Sequence, residues 1–248
     1  MIQPGMSANA MRPAATPLHA TMLCFLTTDA AISQKALQTA LGEAVAQSFN
    51  RITVDGDMST NDTVLVLANG LAKNSRIESA TSAAGKIFQT ALNHVCLELA
   101  KKIVRDGEGV SRFVTVRVHG AKDSSDAEAA ARAVANSSLV KTSWCGGDPN
   151  WGRILDALGY SPAMIIEEKI YVGYSRPGEK KVIFALKRGQ PSETPFATLV
   201  KLVAEKEFDL HIFLNLGSGH ATIYTCDLTE AYVDFNKGDV SDPNSLGG

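Results

Sequence analysis

The sequence predicts a layered α+β fold. Segments with strand patterns and segments with helix patterns alternate along much of the chain, but two strand patterns follow each other directly, at residues 169–175 and 180–189. The turn sequence Arg-Pro-Gly-Glu between them predicts an antiparallel hairpin. A doubly wound parallel sheet would separate its strands by helices, so the hairpin favours helices layered on a mixed sheet. A chain of 248 residues, 45% of them hydrophobic, can bury a sizeable core.

The N-terminal region changes character at Thr21. Residues 1–20 are rich in Ala, Pro, Ser and Met and predict an exposed, weakly structured arm. The following residues 21–28 are apolar and predict a buried strand. Asp29 is then predicted to cap a helix over residues 30–49.

Three further segments complete the first half of the chain. Residues 50–62 are dense in Asp, Asn, Ser, Thr and Gly and predict a long loop, of a kind that is often functional. Residues 63–70 predict a strand, and residues 79–104 predict a long helix that ends at glycines. The apolar positions of this helix pattern are Ile87, Ala91, Val95, Leu99 and Ile103.

The second half continues the mixture of strands and helices. Residues 112–120 alternate between polar and apolar side chains, which predicts a half-buried strand. Residues 209–236 predict two strands and a terminal apolar element, with a hairpin turn at the Gly-Ser-Gly of residues 217–219. Helices are predicted over residues 126–140, at the end of residues 145–159, and over residues 196–207.

Composition excludes several classes of protein. A net charge of −2 predicts neither nucleic acid nor an anionic membrane as partner. The longest apolar runs, such as Val64–Ala68, are too short to cross a bilayer, and no charged leader precedes an apolar stretch, so we expect a cytoplasmic protein. The cysteines are scattered without a CxxC pair and are predicted to be reduced thiols rather than zinc ligands: Cys24, Cys96, Cys145 and Cys226.

Candidate chemistry is sparse by motif. The histidines pair with no Ser or Cys in a nucleophile motif, so His94, His119 and His211 are interpreted as core or surface residues. The acidic segment 54–62 lacks the final Glu of an EF-hand, and no metal is predicted. A threonine, however, becomes a nucleophile without histidine when the peptide bond before it is cut. Its own α-amine, with a pKa of about 7.7–8.0, then acts as the base. Thr21, where the arm meets the strand, is such a candidate.

Six segments together resemble one enzyme family. They are MIQP, ATMLCFLTTDAAI, SFNRITVDGDMSTNDTVLVLANG, DGEGVSRFVTVRVHGA, GGDPNWGRILDALGY and TCDLTEAYVDFN. In this order they resemble the ornithine acetyltransferases of arginine biosynthesis, also called bifunctional ArgJ-type glutamate N-acetyltransferases. The resemblance implies an αββα-like sandwich shared with self-processing aminopeptidases. It also implies no cofactor, although acetyl-CoA is a possible acetyl donor in some members, which are then also amino-acid N-acetyltransferases.

The resemblance implies a self-cleaving precursor. Its members cut themselves at the bond equivalent to Ala20–Thr21, and the freed Thr21 accepts acetyl from N-acetylornithine and passes it to glutamate, a ping-pong exchange. Three further substrate contacts are implied, at Glu108, Asn236 and Ser241. A carboxylate suits the ammonium of an amino acid, while amide and hydroxyl donors suit its carboxylate. Taken without the resemblance, the same three residues read as solvated loop and tail side chains.

The resemblance also implies partners and a domain division. Residues 1–20 correspond to the end of an upstream α chain and the cleavage arm, and residues 21–248 to the nucleophile-bearing β chain. The expected assembly is a heterotetramer of two α and two β chains. The family's substrate-binding lysine and Thr-Gly oxyanion hole lie upstream of this sequence, so the chain alone is expected to be a poor catalyst. Residues 5–19 form an insertion relative to the family.

Two other functions remain open on the sequence. The first is a non-catalytic fragment or assembly subunit that requires its upstream half, because the oxyanion donors are missing. The second is a self-processing aminopeptidase of related architecture. Those enzymes use a serine nucleophile, and Thr21 counts against this alternative.

Overall fold

The computed structural model describes residues 2–8 and 22–237, with the backbone alone for residues 2–8. Helices and strands are mixed in the chain, as the predicted α+β fold requires. Two compact units can be distinguished. The first contains the described residues up to Ile52 together with residues 57–106, and the second contains Thr53–Gly56 and Gly107–Lys237.

The first unit contains a three-stranded sheet with the order β1-β2-β3. β2 (Met22–Thr28) and β3 (Thr63–Ala68) run parallel and confirm two predicted strands. β1 (Ile2–Ala8) pairs antiparallel with β2, from Ile2 opposite Thr28 to Ala8 opposite Met22. The prediction of a weakly structured arm was therefore wrong for these residues, because the edge of β2 offers main-chain donors and acceptors that β1 pairs with.

Helices α1 (Gln34–Ala46) and α2 (Ala83–Arg105) cover this sheet. The predicted cap of α1 was wrong, since Ser33 rather than Asp29 caps the helix: its Oγ accepts from the N–H of Ala36 at 3.3 Å. The intervening residues are held extended by a bridge between Ile32 and Ile77, so the helix cannot begin earlier.

The buried face of α2 agrees only in part with the predicted one, because Leu99 is buried and Val95 and Ile103 are partly buried against the core. Ile87, which the pattern assigned to the core, is 73% exposed, and Ala91 is exposed as well. Leu99 is buried as predicted, and the other buried side chains named here lie in the neighbouring row: Phe88, Leu92, Cys96 and Val104. Two adjacent apolar rows on one helix differ by a rotation of about 100°, and only packing against α1 and β2 decides between them.

The four cysteines are free thiols, as predicted. Cys24 and Cys96 are buried in the core of the first unit. Burial raises the pKa of Cys24 to about 11 and that of Cys96 to about 12, which makes both thiols unreactive.

A six-stranded mixed sheet forms the second unit. Its strands are β4 (Phe113–Ala121), β5 (Tyr171–Ser175), β6 (Ile183–Lys187), β7 (Gln190–Pro191), β8 (Glu207–Phe213) and β9 (Gly219–Cys226), in the order β7-β6-β5-β8-β4-β9. β5 and β6 form the predicted antiparallel hairpin. The hairpin predicted at residues 217–219 was wrong, because β8 and β9 do not pair with each other but lie on opposite sides of β4.

Helices pack on one face of this sheet. They are α3 (Ser124–Asn136), α4 (Ser138–Cys145), α5 (Trp151–Gly159) and α6 (Phe196–Val203), and the short α7 (Glu230–Asn236) follows β9. The core contains Val114, Val116 and Val118 of β4 with Trp144 and Phe208. In the described part of the chain, no helix is both long and apolar enough to traverse a bilayer.

The other face of the sheet carries a chain of hydrogen bonds through two histidines. His119 Nε2 lies 3.3 Å from His211 Nδ1, and His211 Nε2 lies 2.9 Å from Ser175 Oγ. The Ser175 hydroxyl donates to the Arg176 carbonyl at 3.0 Å, so it must accept from His211 Nε2–H. His211 Nδ1 is then an acceptor for His119 Nε2–H. Neutral imidazoles satisfy the whole chain, which supports a structural role for both histidines.

This buried chain predicts that stability falls as the pH is lowered from 6.5. Burial, followed by the nearby His119, lowers the pKa of His211 to about 4, although Asp209 acts in the opposite direction. Burial, with His220 and Arg117, also lowers the pKa of His119. The unfolded chain takes up protons near pH 6.5 while His211 in the folded chain does not, so this histidine lowers the free energy of unfolding by about 1.4 kcal/mol per pH unit, and His119 acts in the same direction.

For His211 the loss totals on the order of 3 kcal/mol by pH 4. Urea unfolding at pH 7, 6 and 5 measures the slope of this loss at pH values above the range where most carboxylates titrate. His211→Gln should reduce the slope between pH 6.5 and 5, while His94→Gln, at an exposed position of α2, should keep it. An unchanged slope in His211→Gln would assign the pH dependence to other groups.

Candidate functional site

The loop between α2 and β4 places Glu108 at the start of the second unit. α2 ends at Arg105 with Asp106 as its C-cap, and Gly107 follows directly. Gly109 follows with φ of +66°, a left-handed conformation that favours glycine. Glu108 is therefore presented on a tight loop, as the sequence predicted.

Glu108 and Asn236 are brought into direct contact. Asn236 is the last residue of α7, and its Nδ2 donates to Glu108 Oε2 at 2.6 Å and to the Tyr232 carbonyl at 3.0 Å. Both partners are acceptors, so only the amide nitrogen fits between them and the amide orientation is fixed by its surroundings. The amide thus offers its oxygen, beside the carboxylate of Glu108, to any further ligand. Two acceptors side by side suit a cationic group.

The Glu108 loop is packed directly on the start of α7. A Cβ at Gly109 would lie 2.4 Å from the backbone nitrogen of Tyr232, so no other residue fits there without displacing the helix. Thr229 donates through Oγ1 to the Gly109 carbonyl at 2.6 Å. The same Oγ1 accepts from the Tyr232 N–H at 3.2 Å and caps α7.

Asp227 binds the other end of this loop. Its carboxylate is 3% exposed and accepts from the backbone N–H groups of Ser111 and Arg112, each at 2.9 Å. The Ser111 hydroxyl donates to its second oxygen, and the Arg112 guanidinium lies 3.6 Å from that oxygen. A buried carboxylate with this many donors is fully satisfied and well fixed.

A buried lysine supports the segment that leads into Asp227. Lys141 of α4 is 2% exposed, and its ammonium donates to Thr225 Oγ1 at 3.1 Å and to the Cys226 carbonyl at 2.5 Å. Burial lowers the pKa of Lys141, while Cys226 and Asp227 act in the opposite direction. The lysine thereby anchors the end of β9.

Each unit has one acidic side chain that binds a donor close in sequence to a candidate residue. In the second unit, the Tyr232 hydroxyl donates to Asp55 Oδ2 at 3.0 Å. In the first unit, Asp62 Oδ1 accepts from the N–H of Met22 at 2.8 Å, which is the peptide group directly after Thr21. Asp62 thus fixes the backbone at the start of β2.

The predicted site residues are only partly covered by the structure. Glu108 and Asn236 are described and lie in contact, whereas Ala20, Thr21 and Ser241 lie outside the described residues. Asp227 and Thr229 were missed by the sequence reasoning. The signal was present, because both lie in the segment TCDLTEAYVDFN, and Asp and Thr before a helix are typical capping residues.

Two cavities lie elsewhere in the described part of the chain, each of about 400 Å³. One is in the second unit beside Tyr171, Phe184 and Phe213, and the other is in the first unit beside Ile77 and Phe88. Neither is lined by Glu108 or Asn236. Within residues 2–8 and 22–237, no three His, Cys, Asp or Glu side chains are grouped closely enough to hold a metal ion.

Comparison with known proteins gives one family. The model of the ArgJ family matches residues 1–238. The arginine biosynthesis bifunctional protein ArgJ of Dictyostelium discoideum, a mitochondrial protein, is 44% identical over 89% of this chain and 53% of its own length. The glutamate N-acetyltransferase of Methanocaldococcus jannaschii is 44% identical over 94% of this chain and 57% of its own length. The chain thus spans about half the length of these curated relatives.

A solved structure is similar as well. The crystal structure of the arginine biosynthesis bifunctional protein ArgJ from Bacillus halodurans superposes with a TM-score of 0.80 at 39% sequence identity. The match covers 87% of this chain and 98% of the solved chain. The similarity confirms the predicted layered α+β fold.

Proposed function

Because this chain belongs to the ArgJ family, we propose that it is the nucleophile-bearing part of an acetyltransferase of arginine biosynthesis. The relatives that support this activity are named as ArgJ and as glutamate N-acetyltransferase. This chain matches only 53% and 57% of the length of two of them, which supports a second, upstream polypeptide as its partner. A cytoplasmic location and a heterotetramer of two α and two β chains belong to the same proposal.

The proposed reaction begins with self-cleavage. The Thr21 hydroxyl attacks the Ala20 carbonyl, the peptide bond becomes an ester with a free Thr21 amine, and water opens the ester. The amine then takes the hydroxyl proton while the oxygen attacks the acetyl group of N-acetylornithine. The bond from acetyl carbon to nitrogen breaks, and ornithine leaves with the proton. The amine of glutamate attacks acetyl-Thr21 and restores the hydroxyl. Asp62, bound to the N–H of Met22, supports this role by fixing the start of β2, directly after the nucleophile.

The observation that carries the proposal is the contact between Glu108 and Asn236. N-acetylornithine has one ammonium group, on its δ carbon, because acetyl occupies the α nitrogen. We assign this ammonium to Glu108 and to the Asn236 amide oxygen. Because the Asn236 amide nitrogen donates within the protein, we propose its oxygen, rather than its N–H groups, as the substrate contact. The carboxylate is left to Ser241 and to the upstream half.

An acetyl-exchange assay tests this function. The chain, produced together with its upstream half, is expected to transfer acetyl from N-acetylornithine to glutamate. The same assay with acetyl-CoA in place of N-acetylornithine tests whether acetyl-CoA also serves as donor. Glu108→Gln removes the charge that pairs with the ammonium and should raise KM for N-acetylornithine by roughly 10–100-fold. Glu193→Gln, at an exposed position before α6, is the matched control and should leave KM unchanged.

Two results would count against the proposal. Exchange activity that is absent even with the upstream half would favour the non-catalytic subunit. An unchanged KM in Glu108→Gln, with exchange intact, would remove Glu108 from the ammonium site.

A further inference from the structure

We infer that Asp227 is a positioning residue that holds Glu108 in place for substrate binding, an inference that rests on the proposed function. Asp227 does not contact Glu108 itself. It binds the backbone N–H groups of Ser111 and Arg112, three and four residues further along the same loop. The loop between α2 and β4 is short, so fixing its backbone at Ser111 and Arg112 limits the positions that Glu108 can adopt.

The segment 227–229 binds this loop at two points. Asp227 accepts from the backbone N–H groups of Ser111 and Arg112, and Thr229 donates to the carbonyl of Gly109. Gly109 directly follows Glu108, so the two attachments fix the loop on the C-terminal side of Glu108, beginning at the next residue. The buried Lys141 in turn holds the residues just before Asp227.

The same segment also positions the partner of Glu108. α7 begins at Glu230, directly after Thr229, and ends at Asn236. Displacing residues 227–229 would therefore separate the two acceptors that form the proposed ammonium site. A buried side chain that orients a binding residue through a network of hydrogen bonds affects binding without contacting the ligand.

The two oxygens of Asp227 have separable roles. Oδ1 accepts from both backbone N–H groups, and Oδ2 faces the Ser111 hydroxyl and the Arg112 guanidinium. Asp227→Asn keeps one oxygen for the backbone, whereas Asp227→Ala removes the whole attachment. The asparagine variant should therefore retain most of the positioning that the alanine variant loses.

The test measures KM and kcat for N-acetylornithine in the assembled enzyme. Asp227→Ala is expected to raise KM by roughly 10–100-fold while kcat changes by less than about threefold, and Asp227→Asn should recover most of the affinity. In a Glu108→Gln background, Asp227→Ala should raise KM by a clearly smaller factor than in the unmodified enzyme, because much of its effect acts through Glu108. Asp209→Ala is the matched control and should leave KM unchanged. Asp209 is likewise buried, at 2% exposed, and accepts from Arg117 and from the Gly178 N–H rather than from the Glu108 loop.

Each outcome decides the inference. A lower Tm in Asp227→Ala with unchanged KM overturns the positioning role, while a raised KM in Glu108→Gln leaves the proposed function intact. Equal KM effects of Asp227→Ala with and without Glu108 also overturn it. If Glu108→Gln has no effect on KM, the proposed ammonium site and the positioning role fail together. If Asp227→Ala does not fold, Thr229→Val tests the second attachment of the same segment. It removes the bonds to the Gly109 carbonyl and to the Tyr232 N–H at nearly constant volume, and an unchanged KM there overturns the inference.

Discussion

Thr21→Ala is expected to abolish both self-cleavage and acetyl transfer. The alanine variant lacks the oxygen that attacks the Ala20 carbonyl and that later carries the acetyl group, so the turnover rate should fall by at least about 10⁴-fold. Intact mass under denaturing conditions should show one uncleaved polypeptide in the variant. The unmodified sequence should give two polypeptides, one of which begins at Thr21.

Thr21→Ser is the matched control for this prediction. Serine keeps the hydroxyl and the α-amine, so some cleavage and some transfer should remain. Alanine variants that still exchange acetyl groups, or an uncleaved enzyme with full activity, would show that Thr21 is not the nucleophile.

Gly109→Ala is expected to damage stability and substrate binding together. The left-handed φ of +66° strains any side chain, and the new Cβ meets the backbone of Tyr232 at 2.4 Å. We expect the free energy of unfolding to fall by about 2–5 kcal/mol. Because the clash pushes the Glu108 loop away from α7, kcat/KM for N-acetylornithine should also fall by roughly 10²-fold. Urea unfolding and the acetyl-exchange assay measure the two effects.

Gly178→Ala separates the strain from the clash. Gly178 has φ of +72°, but a Cβ there meets no heavy atom within 4 Å. The control variant should lose about 1–2 kcal/mol of stability from the backbone conformation alone and keep its activity. Gly109→Ala would contradict the described packing if it behaved like Gly178→Ala in both measurements.

Local sequence patterns predicted much of the fold but not its pairing. The apolar run of β2 and the Arg-Pro-Gly-Glu turn between β5 and β6 are signals carried by neighbouring residues, and both were confirmed. The place of β4 between β8 and β9 depends on strands about 100 residues apart, which no local pattern encodes. For the same reason the sequence indicated a hairpin at residues 217–219 where none exists.

For the candidate site, the sequence likewise indicated individual residues but not the long-range contacts between them. Glu108 and Asn236 were identified through a family resemblance, and the structure adds the 2.6 Å contact between them and the orientation of the amide. Asp227 was missed because its donors, Ser111 and Arg112, are more than 110 residues away in the sequence. Thr21 remains a prediction from residue type and resemblance.

The pairing of β1 with β2 has a consequence for the cleaved protein. Ala8 lies opposite Met22, where the antiparallel pairing of β1 and β2 ends. Residues 9–21 connect these two paired strands, and the bond between Ala20 and Thr21 lies within this connection. A nick at that bond leaves Ile2–Ala8 attached non-covalently through its ladder of main-chain hydrogen bonds. The two products would then migrate as one complex in native electrophoresis or size-exclusion chromatography. The cleavage would be detected only after denaturation separates the two strands.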